Sequence, residues 1–195
     1  MPRIVNTSIM NRRAAIFSIS TLTGISRSFS AIMQSRSKLP CFVYSDLYSC
    51  DWPSEHRFPM SKFKDLKEYI SSSGLYTGEF IMPPEMSERP DYMDAVYSVH
   101  EEGYLDRFIS ECLSIAEKRK IGLAFNEHLV RRTFAEAAGT CYTAELALCN
   151  GLAANLAGGT HHANRTGGSG FTVINDLAIA AHWLLSRRLC KRVMV

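Results

Sequence analysis

Between Ala138 and Leu185 the chain passes through five segments in an order that only one broad class of fold accommodates. Alanines and leucines dominate both faces of a helical segment over Ala138–Cys149, and Asn150-Gly151 stops it. A short apolar run follows over Gly151–Ala157, then a glycine-rich loop, then a second short run over Phe171–Ile174 and a largely apolar helical segment over Asp176–Leu185. An apolar run reached from a helix and left through a glycine-rich loop reads as a buried strand. Strands alternating with helices imply an α/β domain whose open, parallel sheet is covered on both faces.

The preceding residues extend the same pattern. Cys41–Ser45 (CFVYS), after Pro40, reads as the strand that opens the domain. The segment with Asp51, Pro53, His56 and Pro59 reads as loop. Phe63, Leu66 and Ile70 recur at helical spacing and predict an amphipathic helix over Met60–Ile70. Residues 78–94, with three prolines, predict a loop holding at most a short strand around Phe80–Met82. Tyr104, Leu105, Phe108, Ile109, Cys112 and Leu113 form one stripe that predicts a helix over Glu101–Leu113. The last ten residues, SRRLCKRVMV, turn basic from about 186 and promise little packing surface.

Charge is divided unevenly. Residues 1–40 contain six basic side chains and no acid, with eight serines interleaved among apolar residues. The remainder carries 16 basic against 19 acidic side chains, so the overall +3 is no evidence for a nucleic-acid surface, and direct nucleic-acid binding is not expected. The Arg/Ser-rich leader lacks a continuous apolar block and reads as an organelle transit peptide for a mitochondrion or plastid; the alternative is a nuclear or cytoplasmic protein with a basic tail. No run approaches the roughly 18 apolar residues of a membrane span. Residues 41–195, of ordinary apolar content, suit one domain. The six cysteines are scattered, form no CxxC pair, and read as reduced thiols.

Chemistry concentrates in Ala157–Asp176 (AGGTHHANRTGGSGFTVIND). Glycines at 158 and 159, and again at 167, 168 and 170, permit tight turns after a strand, where ligands of open α/β sheets bind. His161 and His162 can carry protons in either direction near neutrality. Neighbours in an extended segment point to opposite sides, so adjacency by itself argues weakly for chelation. The pair could serve as two general bases, as electrostatic partners, or as caps of a loop.

GGTHHA (Gly158–Ala163) followed by SGFTVINDLAIAA (Ser169–Ala181) resembles the signature of the zinc-dependent histone deacetylase and acetylpolyamine amidohydrolase superfamily, with a class IV-like flavour. HRFPMSKF (His56–Phe63), VYSVHEEGYLDRF (Val96–Phe108) and AAGTCYTAELAL (Ala137–Leu148) follow the family order. The resemblance implies an arginase/deacetylase-type doubly wound parallel sheet, here truncated after the first few strands. It implies hydrolysis of N-acetyl-lysine amides on proteins, or of small acetylated amines. His161 and His162 match the catalytic tandem histidines, and Gly170 and Phe171 match positions shaping the substrate tunnel. Thr172 stands where relatives usually carry cysteine.

Zinc is the cofactor expected for the full-length family enzyme. The Asp-x-Asp-x-His segment and the later aspartate that hold it in relatives have no counterpart here, so this chain is expected to hold none and to be inactive. The resemblance places no metal ligand on this sequence. His100, His128 and His182 read as packing or surface residues, and Asp176 as an acid favourable at a helix N-terminus. The alternative reading is a non-enzymatic regulatory or interaction fragment whose exposed sheet edge takes a protein partner.

Overall fold

The structure, a computed structural model, describes residues 40–195. The leader therefore lies outside the described residues. Two strands, β1 (Cys41–Val43) and β2 (Ala153–Asn155), pair in parallel, with Cys41 opposite Ala153 and Val43 opposite Asn155. A single parallel bridge joins Val43 to Ile81 on the other side of β1. Among the described residues six α-helices follow one another as α1 (Lys62–Ser72), α2 (Pro90–Val99), α3 (Glu102–Ile109), α4 (Ile115–Ile121), α5 (Glu127–Asn150) and α6 (Asp176–Ser186). The fold is α/β with a small parallel sheet.

The long helix α5 organises the rest. Asn126 caps its first turn by accepting the Leu129 N–H at 3.0 Å, and Gly151, at φ +86°, ends it in the left-handed conformation. Its small residues Ala137, Ala138 and Cys141 are fully buried beside Ile179, Ala180 and Trp183 of α6 and Tyr92, Ala95 and Val96 of α2. A second cluster gathers Tyr44, Tyr48, Met60, Phe63, Leu156 and Ala157.

Several expectations change. Both strands are shorter than the apolar runs that announced them. The predicted helix over Ala138–Cys149 is the C-terminal half of α5, because Leu129, Arg132, Thr133 and Glu136 already face inward in the turns before Ala138. Residues 90–94, expected to be loop, instead open a helix that runs to Val99: Pro90 occupies the first helical position, where its missing N–H costs nothing. The helix predicted over Glu101–Leu113 stops at Ile109; Glu111 has φ +58°, and α4 starts afresh behind a Ser114–Glu117 capping box. In the basic end, Leu189 packs partly against the core, so that segment does contribute packing surface.

Phe171–Ile174 is not a strand. Gly170 and Phe171, at φ +54° and +64°, are the two central residues of a tight turn closed by Ser169 and Thr172, which exchange both N–H···O bonds at 2.9 Å. The N–H groups of Gly170 and Phe171 then satisfy the carbonyls of Lys120 and Ile121, two of those left free at the end of α4. That tertiary pairing outweighs the β propensity of the FTVI run.

Candidate functional site

The loop carrying His161 and His162 leaves β2 and is gripped from both flanks by the start of α6. Asp176, the first residue of α6, is fully buried. Its carboxylate accepts the Gly159 N–H at 3.0 Å, the Thr160 N–H at 2.7 Å and the Thr140 hydroxyl. Asn175 caps α6 through its Oδ1 to the Ala178 N–H and donates its Nδ2 to the carbonyls of His161 (3.3 Å) and Ala163 (3.2 Å). The Ser169 hydroxyl donates to the His162 carbonyl at 2.7 Å. All three carbonyls of 161–163 are thus held by side chains, so the bend is fixed by its own sequence neighbourhood rather than by strand pairing.

This bend overrides the extended-chain argument that neighbouring side chains diverge. The two imidazoles lie on one side, ring centroids 4.3 Å apart and inclined by 35°, both exposed. His161 Nδ1 is 2.9 Å from the Gly159 carbonyl, which can only accept, so Nδ1 carries a proton, and in the neutral ring Nε2 has the lone pair. A ring held in that tautomer offers a base at Nε2.

The predicted tunnel residues stand beside the pair. A Cβ built on Gly170 would lie 3.3 Å from His162 Cγ, so a side chain there would press on the imidazole. Phe171 faces an aromatic group: Phe58 at 5.4 Å and His56 at 6.3 Å between centroids, with the Arg57 guanidinium 4.8 Å above its ring. The structure therefore brings His161, His162, Gly170 and Phe171 into one neighbourhood.

Beneath the loop sits a buried ion pair. Arg132 and Glu136, one turn apart on α5, meet in a bidentate contact at 2.9 and 3.1 Å; Glu136 Oε1 also accepts the Gly158 N–H at 2.9 Å, and Arg132 Nε donates to the Tyr48 carbonyl. Complete burial pushes the Glu136 carboxyl upward while the Arg132 charge opposes it. Asn155, at the end of β2, donates to Thr140 Oγ1 at 3.1 Å and so ties strand, α5 and loop together.

Of the remaining histidines, His128 is half-exposed beside Glu127, His182 is exposed, and His100 is fully buried. Among the described residues no group of three or more His, Cys, Asp or Glu side chains could hold a metal ion, so they do not fit a zinc centre. Glu136, Asn175 and the loop-holding role of Asp176 escaped the sequence reading. The Asn-Asp pair just before an apolar helix was the available signal, being the sequence of a capped N-terminus.

Comparison with known proteins adds family to geometry. The histone deacetylase domain profile matches residues 56–195. An uncharacterized protein of Picosynechococcus is 39% identical over 153 residues, covering 78% of this chain and 50% of the relative. Acetoin utilization protein AcuC of Staphylococcus aureus is 27% identical over 174 residues (84% and 43%), and histone deacetylase 2 of Arabidopsis thaliana 27% over 163 residues (78% and 41%). Among solved structures, the HD domain of HDA15 superposes with a TM-score of 0.56 at 15% identity, over 76% of this chain and 43% of that one. The chain spans about half the length of the curated relatives it matches.

Proposed function

Since the chain belongs to the histone deacetylase family, we propose that it carries the proton-handling part of an N-acetyl amide hydrolase, with acetylated lysine or a small acetylated amine as the substrate class. The observation that carries this reading is the stacked His161–His162 pair with a lone pair free at His161 Nε2, on a loop held by Asp176 and Asn175. One imidazole accepts a proton from water as it attacks the acyl carbon, and a protonated imidazole returns a proton to the leaving amine. Gly170 leaves room beside His162, and Phe171 with Phe58 supplies an apolar wall for the acyl-bearing chain.

The family uses zinc, and the described residues offer no site for it, so proton transfer is the only chemistry assigned to this chain. By itself the 195-residue protein is catalytically silent. Mixing it with the C-terminal half of the Picosynechococcus relative tests the reading: zinc-dependent release of acetate from an acetyl-lysine peptide is expected, and is lost in His162→Ala. A stoichiometric zinc-bearing complex that releases no acetate sinks the proposal. Chelator-sensitive hydrolysis by the isolated chain contradicts its silence.

A second reading rests on the outer edge of β2, which has no partner strand among the described residues. Such an edge presents free N–H and C=O groups and takes another polypeptide strand. In this reading the chain is a regulatory or interaction fragment, and Ala153→Pro weakens the association that sedimentation detects. No helix among the described residues is long and apolar enough to cross a membrane. Residues 1–40 serve as an address to a mitochondrion or plastid; a reporter fused to them that stays diffuse in the cytosol contradicts this.

A further inference from the structure

His100 ends α2 and is fully buried. Its Nε2 accepts the backbone N–H of Asn175 at 2.9 Å, across 75 residues of sequence. An N–H donor facing Nε2 requires that nitrogen to be unprotonated, so the ring proton resides on Nδ1, an atom buried without a hydrogen-bond partner of good geometry. Asn175 is the residue whose side chain holds the carbonyls of His161 and Ala163, and its successor Asp176 holds Gly159 and Thr160. A second link runs in parallel, since Arg165 of the same loop gives its carbonyl to the Glu101 N–H and its guanidinium to the Ser98 carbonyl. The end of α2 is therefore fastened to both sides of the tandem-histidine loop.

We propose that His100 is a positioning residue for the tandem histidines, acting through the Asn175 N–H that its Nε2 accepts. The proposal builds on the assignment of His161 and His162 as the proton-handling pair, but its test requires no turnover. Asn175 is needed in one orientation: its Oδ1 toward α6 and its Nδ2 toward the loop. A backbone anchor that fixes the residue favours the orientation in which its side chain makes all three bonds. A protonated His100 presents N–H to N–H at this contact, so the anchor exists only with the neutral ring.

The groups facing His100 agree with that state. Burial holds its protonation below the ordinary histidine range; the nearby carbonyls of Asn164 and Arg165 act against this, and the Arg165 charge reinforces it. Tyr104 of α3 faces the ring at 6.2 Å between centroids, with its own hydroxyl engaged by the Val173 carbonyl at 2.8 Å. With a lowered folded-state value, the anchor is fully present above the ordinary histidine range and is lost as pH falls through the lowered value.

Residue-resolved amide hydrogen exchange on the full 195-residue protein tests this in wild type, His100→Leu and His100→Gln. The leucine variant should raise exchange at Asn175 and at the Asp176-held amides of Gly159 and Thr160 by about tenfold, the equivalent of one lost hydrogen bond, while amides of α1 keep their rates. Glutamine, whose Oε1 can accept from Asn175, should restore most of the protection. If the leucine variant does not fold, acidification of the wild type reads the same contact: Asn175, Gly159 and Thr160 should lose protection together, ahead of α1. Uniform acceleration across the chain, unchanged exchange at Asn175, or a glutamine variant indistinguishable from leucine overturns the proposal. Absence of amide hydrolysis in any assay bears on the functional assignment and leaves these exchange rates unaffected.

Discussion

One carboxylate oxygen of Asp176, Oδ1, lies 2.7 Å from both the backbone nitrogen and the hydroxyl oxygen of Thr160, the residue immediately before the tandem histidines. The hydroxyl has a single proton, shared in reach with the Ile174 carbonyl at 2.9 Å, while the amide has no other acceptor. The charged acceptor is thus committed to the backbone, and the position of His161 follows from it.

Asp176→Asn replaces one of these acceptor oxygens with a donor and faces it toward N–H or O–H groups in a fully buried site. A buried donor left against donors costs about 1–3 kcal/mol, more when the lost bonds were to a charge. The variant should lose roughly 3 kcal/mol in urea unfolding, with exchange at Gly159 and Thr160 accelerated first. Retained protection at those two amides would show that the carboxylate is not what holds the loop.

Gly158 and Gly151 offer a paired comparison. Both have left-handed φ, +90° and +86°. A Cβ on Gly158 would stand 2.5 Å from Asp176 Oδ2 and 2.6 Å from Thr140 Oγ1, whereas one on Gly151 meets nothing within 4 Å. Gly151→Ala should cost about 1–2 kcal/mol of backbone strain. Gly158→Ala should cost about 1–3 kcal/mol more, from overpacking against two hydrogen-bonded oxygens. Thermal unfolding of the two variants side by side decides it, and equal losses would contradict the crowding beneath the loop.

What was legible in the sequence was local. α6, the core of α1 and the glycine-rich loop announced themselves through periodicity and turn residues, and the GGTHHA and SGF segments marked the chemistry. The first half of α5 was not legible because Arg132 and Glu136 read as surface charges until their mutual pairing and the Gly158 N–H are known. The Phe171 turn was hidden because its cause is the free carbonyls of Lys120 and Ile121, 50 residues away. Asp176 suggested a favourable charge at a helix end; its burial and its grip on Thr160 are tertiary facts. Long-range hydrogen bonds, which leave no periodic trace, account for most of what was missed at the site.

The Arg132–Glu136 pair predicts a pH-dependent penalty. Arg132→Met keeps the aliphatic volume but leaves the buried Glu136 carboxylate unpaired, a loss of about 3–5 kcal/mol at neutral pH. Burial already raises the Glu136 carboxyl, and removing the opposing cation raises it further. With the folded-state value above the unfolded one, the folded state binds the extra proton in between, so variant stability rises as pH falls toward the ordinary carboxylate range. Urea midpoints for variant and wild type should therefore converge between pH 7 and pH 5, and Glu136→Gln added to Arg132→Met should flatten the dependence. A penalty independent of pH would mean that Glu136 is not the charge left behind.

Thiol accessibility supplies a test independent of the loop. The six cysteines are all unpaired, Cys112 exposed and Cys141 buried in the face of α5 that packs on α6. Burial, and then the Asp176 carboxylate, pushes the Cys141 thiol well above its ordinary value, which removes the reactive thiolate as well as the access. Alkylation of native protein by iodoacetamide at pH 8, followed by mass spectrometry, should modify Cys112 first and Cys141 last. Modification of Cys141 should appear only when urea opens the α5–α6 contact, and its rate should then follow the unfolded fraction. Early labelling of Cys141 in buffer would mean that α6 does not stay packed on α5 in solution, and with it the anchorage of Asn175 and Asp176 beneath the histidines would fail.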